Sequence, residues 1–128
     1  MPFIRITTWG PALAPEQISR LQDEMTGLMG STLGKNTNLT SVLVEYPTVA
    51  DWAIGHVPAP VAAHVHATIT AGTNSAEEKA GFIEQTMRLL KSVLGSELSH
   101  ATYVVVAEVP AQSWGYDGRT QESRRQSA

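Results

Sequence analysis

One structural unit is written twice along these 128 residues, and that repetition leaves few folds open. Pro2-Phe3-Ile4-Arg5-Ile6-Thr7 lies over Ala63-His64-Val65-His66-Ala67-Thr68, and both segments alternate as half-buried strands do. Ile4 and Ile6 share one face, and Val65, Ala67 and Ile69 share the corresponding face. Ala14-Pro15-Glu16 and Ser75-Ala76-Glu77 then each open a helix. Pro15 suits a first helical position, where its missing N–H costs nothing. Ser75 is an N-cap, with Glu77 and Glu78 in the turn where the helix dipole favours negative charge. Ile18, Leu21, Met25, Leu28, Met29 and Leu33 form an apolar stripe on the first helix, as Phe82, Ile83, Met87, Leu89, Leu90, Val93 and Leu94 do on the second. Gly34 and Gly95 end the two helices.

A strand follows in each half. Ser41–Glu45 is the first; Tyr103–Glu108 is a nearly continuous apolar run that predicts a buried strand. Glu45-Tyr46-Pro47 then aligns with Glu108-Val109-Pro110, Trp52 with Trp114 and Ile54 with Tyr116, all at separations of 61 to 63 residues. Each half therefore reads as β-α-β closed by a short hairpin around its Trp. A crossover helix joins its two strands in parallel. The expected architecture is an α+β fold in a single domain. Two tandem β-α-β units, 2–60 and 61–119, form a four-stranded sheet with both helices on one face, and 120–128 is a polar tail. The strands are apolar on both sides, yet the chain has only two helices to offer. The second sheet face is expected to be buried in an oligomer.

Charge and composition narrow the function classes. A net charge of −3 gives no basic surface for nucleic acid or an anionic membrane, and Arg119, Arg124 and Arg125 read as part of a solvated tail. The absence of Cys removes thiol nucleophiles, disulfides and thiolate metal sites. There is no apolar run of membrane-spanning length and no basic segment leading into an apolar one, so a cytoplasmic protein is expected. His64-Val65-His66 places two imidazoles on one strand face, a spacing that metal sites use, but no third ligand follows from the sequence. A polar strand face or subunit contact is the reading adopted. No phosphate-binding loop or Ser-His-Asp arrangement stands out.

The chain opens Met1-Pro2. Removal of Met1 makes Pro2 a terminal secondary amine. A free α-amino group titrates near pKa ~8, and burial lowers it because the charged form is disfavoured. Such an amine is a usable proton acceptor at neutral pH.

Met1-Pro2, the two Glu-x-Pro segments and the closing motif Glu108-Val109-Pro110-Ala111-Gln112-Ser113-Trp114-Gly115-Tyr116-Asp117-Gly118-Arg119 resemble the tautomerase superfamily. They resemble in particular its long, fused 4-oxalocrotonate tautomerase-like members, and the closing motif is also similar to that of cis-3-chloroacrylic acid dehalogenase. The resemblance spans residues 2 to about 119. It implies the β-α-β repeat fold shared with MIF-like proteins, a homotrimer, and Pro2 as general base or acid. It implies no metal or organic cofactor. Ala63 stands at the repeat position of Pro2, so one proline site per chain is implied. Related enzymes that handle carboxylates carry Arg where this chain has Thr70 and Thr73, and another Arg at the positions of Leu43 and Tyr103. A hydroxyl does not replace a bidentate guanidinium. The dehalogenase's acidic residue falls on Tyr116. The expected site is therefore Pro2 as catalyst, Trp114 and Tyr116 as pocket walls, Tyr103 as donor to a developing enolate oxygen, and Thr70 and Thr73 as substrate contacts. The expected reaction is keto–enol isomerisation of a small conjugated carbonyl or 2-oxo acid. The alternatives are a proline-dependent hydratase, decarboxylase or dehalogenase, or a non-catalytic oligomeric binding protein.

Overall fold

The computed structural model describes residues 2–126. The first unit runs β1 (Phe3–Trp9), α1 (Pro15–Leu33), β2 (Ser41–Glu45) and a hairpin of β3 (Ala53–Ile54) and β4 (Val57–Pro58). The second runs β5 (Ala62–Thr70), α2 (Ala76–Leu94), β6 (Tyr103–Val109) and a hairpin of β7 (Gly115–Tyr116) and β8 (Arg119–Thr120), followed by α3 (Gln121–Gln126). Both long helices have 19 residues and start where Pro15 and Ser75 mark them. Ser75 Oγ accepts from the Glu78 backbone N–H, and the Glu78 carboxylate accepts from the Ser75 N–H, so a capping box closes α2.

The four long strands form one sheet in the order β2-β1-β5-β6. β1 is parallel to β2 and β5 is parallel to β6, while β1 and β5 meet antiparallel at the centre. Arg5 faces His66 there, flanked by Ile4 opposite Ala67 and Ile6 opposite Val65. Arg5 and His66 are repeat mates, 61 residues apart. A local two-fold axis therefore passes between them and relates one unit to the other.

Alternation does the rest. Ile4, Ile6, Val65, Ala67 and Ile69 point to one face and are buried against Leu21, Met25, Met29 and Leu33 of α1 and Phe82, Leu89, Leu90 and Val93 of α2. Gln17 Nε2 donates to Val93 O at 3.0 Å and ties the helices to each other.

The hairpins obey the same symmetry. Each turn has two consecutive residues at positive φ, Gly55 (58°) and His56 (67°) in one, Asp117 (49°) and Gly118 (77°) in the other. That is the two-residue turn whose twist matches antiparallel strands. Ala59 N–H donates to Trp52 O and Gln121 N–H to Trp114 O, both at 2.9 Å.

Three expectations need correction. Glu45 pairs with Thr7, and the repeat mate of Thr7 is Thr68, which pairs with Ala107. The structural mate of Glu45 is thus Ala107, and the Glu-x-Pro alignment is one residue out. β6 is not enclosed within the chain. It is an edge strand, with Tyr103 72% and Val105 37% exposed, because no helix covers that face and no strand lies beyond it. Residues 121–126 are not a loose tail: they form α3, and Arg124 is half-buried with its guanidinium 3.7 Å from the centroid of the Tyr116 ring. Positions 127 and 128, the rest of the expected tail, lie outside the described residues. No helix among the described residues is long and apolar enough to cross a membrane.

Candidate active site

Pro2 sits where the first strand begins. Its carbonyl accepts from Ser41 N–H at 3.1 Å, which seats it beside the start of β2, and its side chain is fully buried. Phe3 pairs with Thr68, so the last third of β5 passes the same spot. The β7–β8 hairpin folds back over this end of the sheet. The result is a cleft of about 360 Å³ lined by Pro2, Phe3, Ser41, Thr68, Trp114, Gly115, Tyr116 and Gln121. That size lies near the lower end of the ~300–1,000 Å³ usual for small-molecule sites. None of these lining residues carries a charged side chain. A Cβ at Gly115 would stand 1.9 Å from Arg119 O, so only glycine lets the hairpin close this tightly.

Pro2, Trp114 and Tyr116, separated by more than a hundred residues, thus share one cleft. Thr70 and Thr73 stand behind its wall and are not among the lining residues. Trp114 Nε1 donates to the nearly buried Thr70 Oγ1 at 3.2 Å, which fixes the plane of the indole. Thr73 Oγ1 donates to Thr70 O at 2.7 Å, and Lys35 Nζ donates to Thr73 Oγ1 at 2.7 Å. Tyr103 is distant from Pro2 within one chain. It pairs with His64, four residues along β5 from Thr68, or about 13 Å at ~3.3 Å per residue, and β6 is two strands away from β1.

A cation therefore does stand beside Thr73, but it is Lys35. Partial burial holds its ammonium below the ordinary lysine range, opposed by attraction to Glu78 and Glu108. Glu108 is itself held below the ordinary carboxylate range, chiefly by the hydrogen bond from Lys79 Nζ at 2.9 Å. Glu78 is lowered by the backbone N–H of Ser75 and by the Asn74 side chain. On the far side of Tyr116, Arg124 Nη2 donates to the Tyr116 carbonyl at 2.9 Å while its guanidinium stacks on the ring.

Sequence reasoning missed Phe3, Ser41, Thr68, Gln121, Lys35 and Arg124. Ser41 and Thr68 were findable, since parallel and antiparallel pairing with β1 brings both to Pro2. Lys35, Gln121 and Arg124 carry no local signal of the contacts they make. Among the described residues, no group of three or more His, Asp or Glu side chains is arranged to hold a metal ion.

Residues 64–126, which supply β5, α2, β6 and the hairpin closing the cleft, match the family described as "Tautomerase enzyme". Over this second unit the chain is similar to the tautomerase superfamily. β1 and Pro2 lie outside the matched stretch. No curated protein matches the sequence. Solved structures with this fold are numerous. The fused 4-OT Q0, described as a wild-type symmetric trimer, is 15% identical with a TM-score of 0.83, covering 95% of this chain and 98% of its own. N1, a member of the cis-3-chloroacrylic acid dehalogenase family, is 17% identical with a TM-score of 0.75 over 97% of this chain and 91% of its own. The macrophage migration inhibitory factor-like protein of Entamoeba histolytica is 18% identical with a TM-score of 0.76, over 93% of this chain and 97% of its own. At such identities the superfamily likeness extends to the fold, and the chemistry must come from the cleft.

Proposed function

We propose that this protein is a tautomerase-superfamily member and a cofactor-independent isomerase that moves a proton between carbons, or between carbon and oxygen, of a small conjugated carbonyl compound, with Pro2 as base and then acid. The observation that carries this is Pro2 itself, buried at the floor of an uncharged cleft between Phe3, Trp114 and Tyr116. After removal of Met1 the ring nitrogen is a secondary amine, and apolar surroundings disfavour its protonated form. Its lone pair takes a proton from carbon next to the substrate carbonyl. The C–H electron pair moves into the conjugated system and leaves an enolate on oxygen. The ammonium then returns the proton at another carbon. A donor must stabilise the enolate while it exists. Hydration and hydrolytic dehalogenation need an activated water, and no carboxylate lines the cleft to activate one.

A homotrimer belongs to this proposal. Phe3, Leu43, Tyr103 and Val105 expose apolar surface on the uncovered sheet face, which a trimer would cover. The fused 4-OT Q0, with the same fold, is described as a trimer.

The test is a panel of enolised 2-oxo acids, neutral enones and aldehydes, run on wild type and on Pro2→Ala. The expected result is a loss of ~100-fold or more in kcat/KM for Pro2→Ala, the scale of removing a general base. Wild-type kcat/KM should rise with pH to a plateau as the amine loses its proton, and the intact mass should lack Met1. Equal rates for the two proteins, or retention of Met1 on natively produced protein, would overturn the mechanism. A wild type that binds these compounds without turning them over would make it a binding protein.

A further inference from the structure

Gln121 is, with Ser41 and Thr68, one of the polar residues of the cleft that the chemistry above does not use. It lines the cleft beside Tyr116, and its side-chain Nε2 is buried without an acceptor among the described residues. Buried polar groups are nearly always paired, and an unpaired donor costs stability that a partner restores. The last torsion of a Gln side chain is broad, so the amide can turn its N–H toward a ligand at little cost.

The internal repeat separates what the backbone of this residue does from what its side chain does. The repeat mate of Gln121 is Ala59, and the two make the same backbone bond, to Trp114 O and to Trp52 O respectively, at 2.9 Å. Alanine therefore suffices to close such a hairpin. The mate of Tyr116 is Ile54. Only the hairpin that covers Pro2 carries a phenol and a carboxamide; the other carries the branched hydrocarbon of Ile54 and the methyl of Ala59. The Tyr116 ring also packs against Arg124, but the Gln121 amide nitrogen has no partner in the fold among the described residues.

We propose that Gln121 is a substrate-orienting and specificity-determining residue, its amide N–H donating to the carbonyl oxygen of a neutral ketone or enone held over Pro2. This rests on reading the Pro2 cleft as the carbonyl-binding site. The acceptor is neutral because no charged side chain lines the cleft, and the cation at Thr73, Lys35, is held by Thr73 and attracted to Glu78 and Glu108. A carboxylate entering the cleft would give up its hydration for uncharged donors and no counter-charge. A ketone loses less and needs only an uncharged donor.

Binding is measured, not turnover, so that this assignment can fail separately from Pro2 catalysis. The probes are 4-phenyl-2-butanone and its oxygen-free analogue 4-phenyl-1-butene, titrated against the whole protein by tryptophan fluorescence. Gln121→Leu should weaken the ketone by ~10-fold, the scale of one lost hydrogen bond to a buried acceptor, and leave the hydrocarbon unchanged. Gln121→Glu keeps the shape, replaces donor with acceptor, and should weaken the ketone at least as much; it serves if the leucine variant does not fold. Equal loss of both probes would make Gln121 a wall and nothing more, and no loss of ketone binding would remove it from the site. Failure of wild type to bind either probe would overturn the cleft reading and this assignment with it.

Discussion

Thr70 offers a direct test of how the cleft is held in shape. Its hydroxyl accepts the Trp114 indole N–H at 3.2 Å from a nearly buried position on a central strand. Thr70→Val keeps the shape and the β-branched preference for a strand, but removes the acceptor. A buried donor stripped of its partner costs ~1–3 kcal/mol, and because the indole is only partly buried the low end applies, ~1 kcal/mol. If that energy is also the cost of keeping Trp114 against the ligand, kcat/KM falls by ~5-fold, at 1.36 kcal/mol per decade. Thr70→Ser, which keeps the hydroxyl, should lose little of either. The assay is a double-mutant cycle with Trp114→Phe, which deletes the donor. Urea unfolding of the four proteins should show a coupling of ~1 kcal/mol between the two sites. The indole N–H resonance of Trp114 should shift in Thr70→Val and not in Thr70→Ser. Additive destabilisation, with Thr70→Val costing the same whether residue 114 is Trp or Phe, would refute the claim that this bond positions the wall.

Other consequences can be checked in parallel. Phe82 is fully buried between α2 and the sheet, so Phe82→Ala should cost ~3–5 kcal/mol in urea unfolding, and a loss under ~1 kcal/mol would contradict the packing. Lys79 depresses the Glu108 carboxyl, so the pair's contribution is present above the unfolded carboxylate pKa of ~4.3 and lost as pH falls through the lower folded value. Lys79→Met should therefore be less stable than wild type at pH 7 and converge with it in strong acid; a gap independent of pH would point to packing instead. Val105 lies on the uncovered sheet face, so Val105→Glu should shift a trimer to monomers in light scattering, and an intact trimer would place the interface elsewhere.

The parts of this chain that repeat could be read from its residues, and the parts made by contacts between distant segments could not. Pro15 and Ser75 mark both helices because capping is local chemistry, and both helices have the same length. The sheet order follows from two crossovers and one antiparallel join. The Glu-x-Pro alignment slipped by a residue because a side-chain motif does not define register; only the Thr7–Glu45 and Thr68–Ala107 pairs do. The apolar run in β6 signals burial without saying whether the cover comes from the same chain or another. Thr70 and Thr73 lie at the end of β5 and just beyond it, next to Trp114, but in a supporting position. Gln121 and Arg124 sit in a polar stretch that gave no hint of a helix packed on Tyr116. Lys35 reaches Thr73 only because α1 ends beside the end of β5.

The two-fold axis between Arg5 and His66 relates a chain end to a position in the middle of the chain. On the proposed reading Pro2 is a free amine once Met1 is removed, whereas Ala63, opposite Thr8, stays an amide within the chain. At these two positions the symmetry of the sheet is thus broken by covalent connectivity, and connectivity can be edited. Cutting the chain between Ala62 and residue 63 and starting the second piece at a proline in place of Ala63 would set a second secondary amine at the symmetry-related end of the sheet. Its hairpin offers Ile54 and Ala59 where the first amine meets Tyr116 and Gln121. A split chain of that kind would carry two bases in unlike surroundings, one beside a phenol and a carboxamide and one against hydrocarbon only, and would separate what the amine does from what its neighbours select.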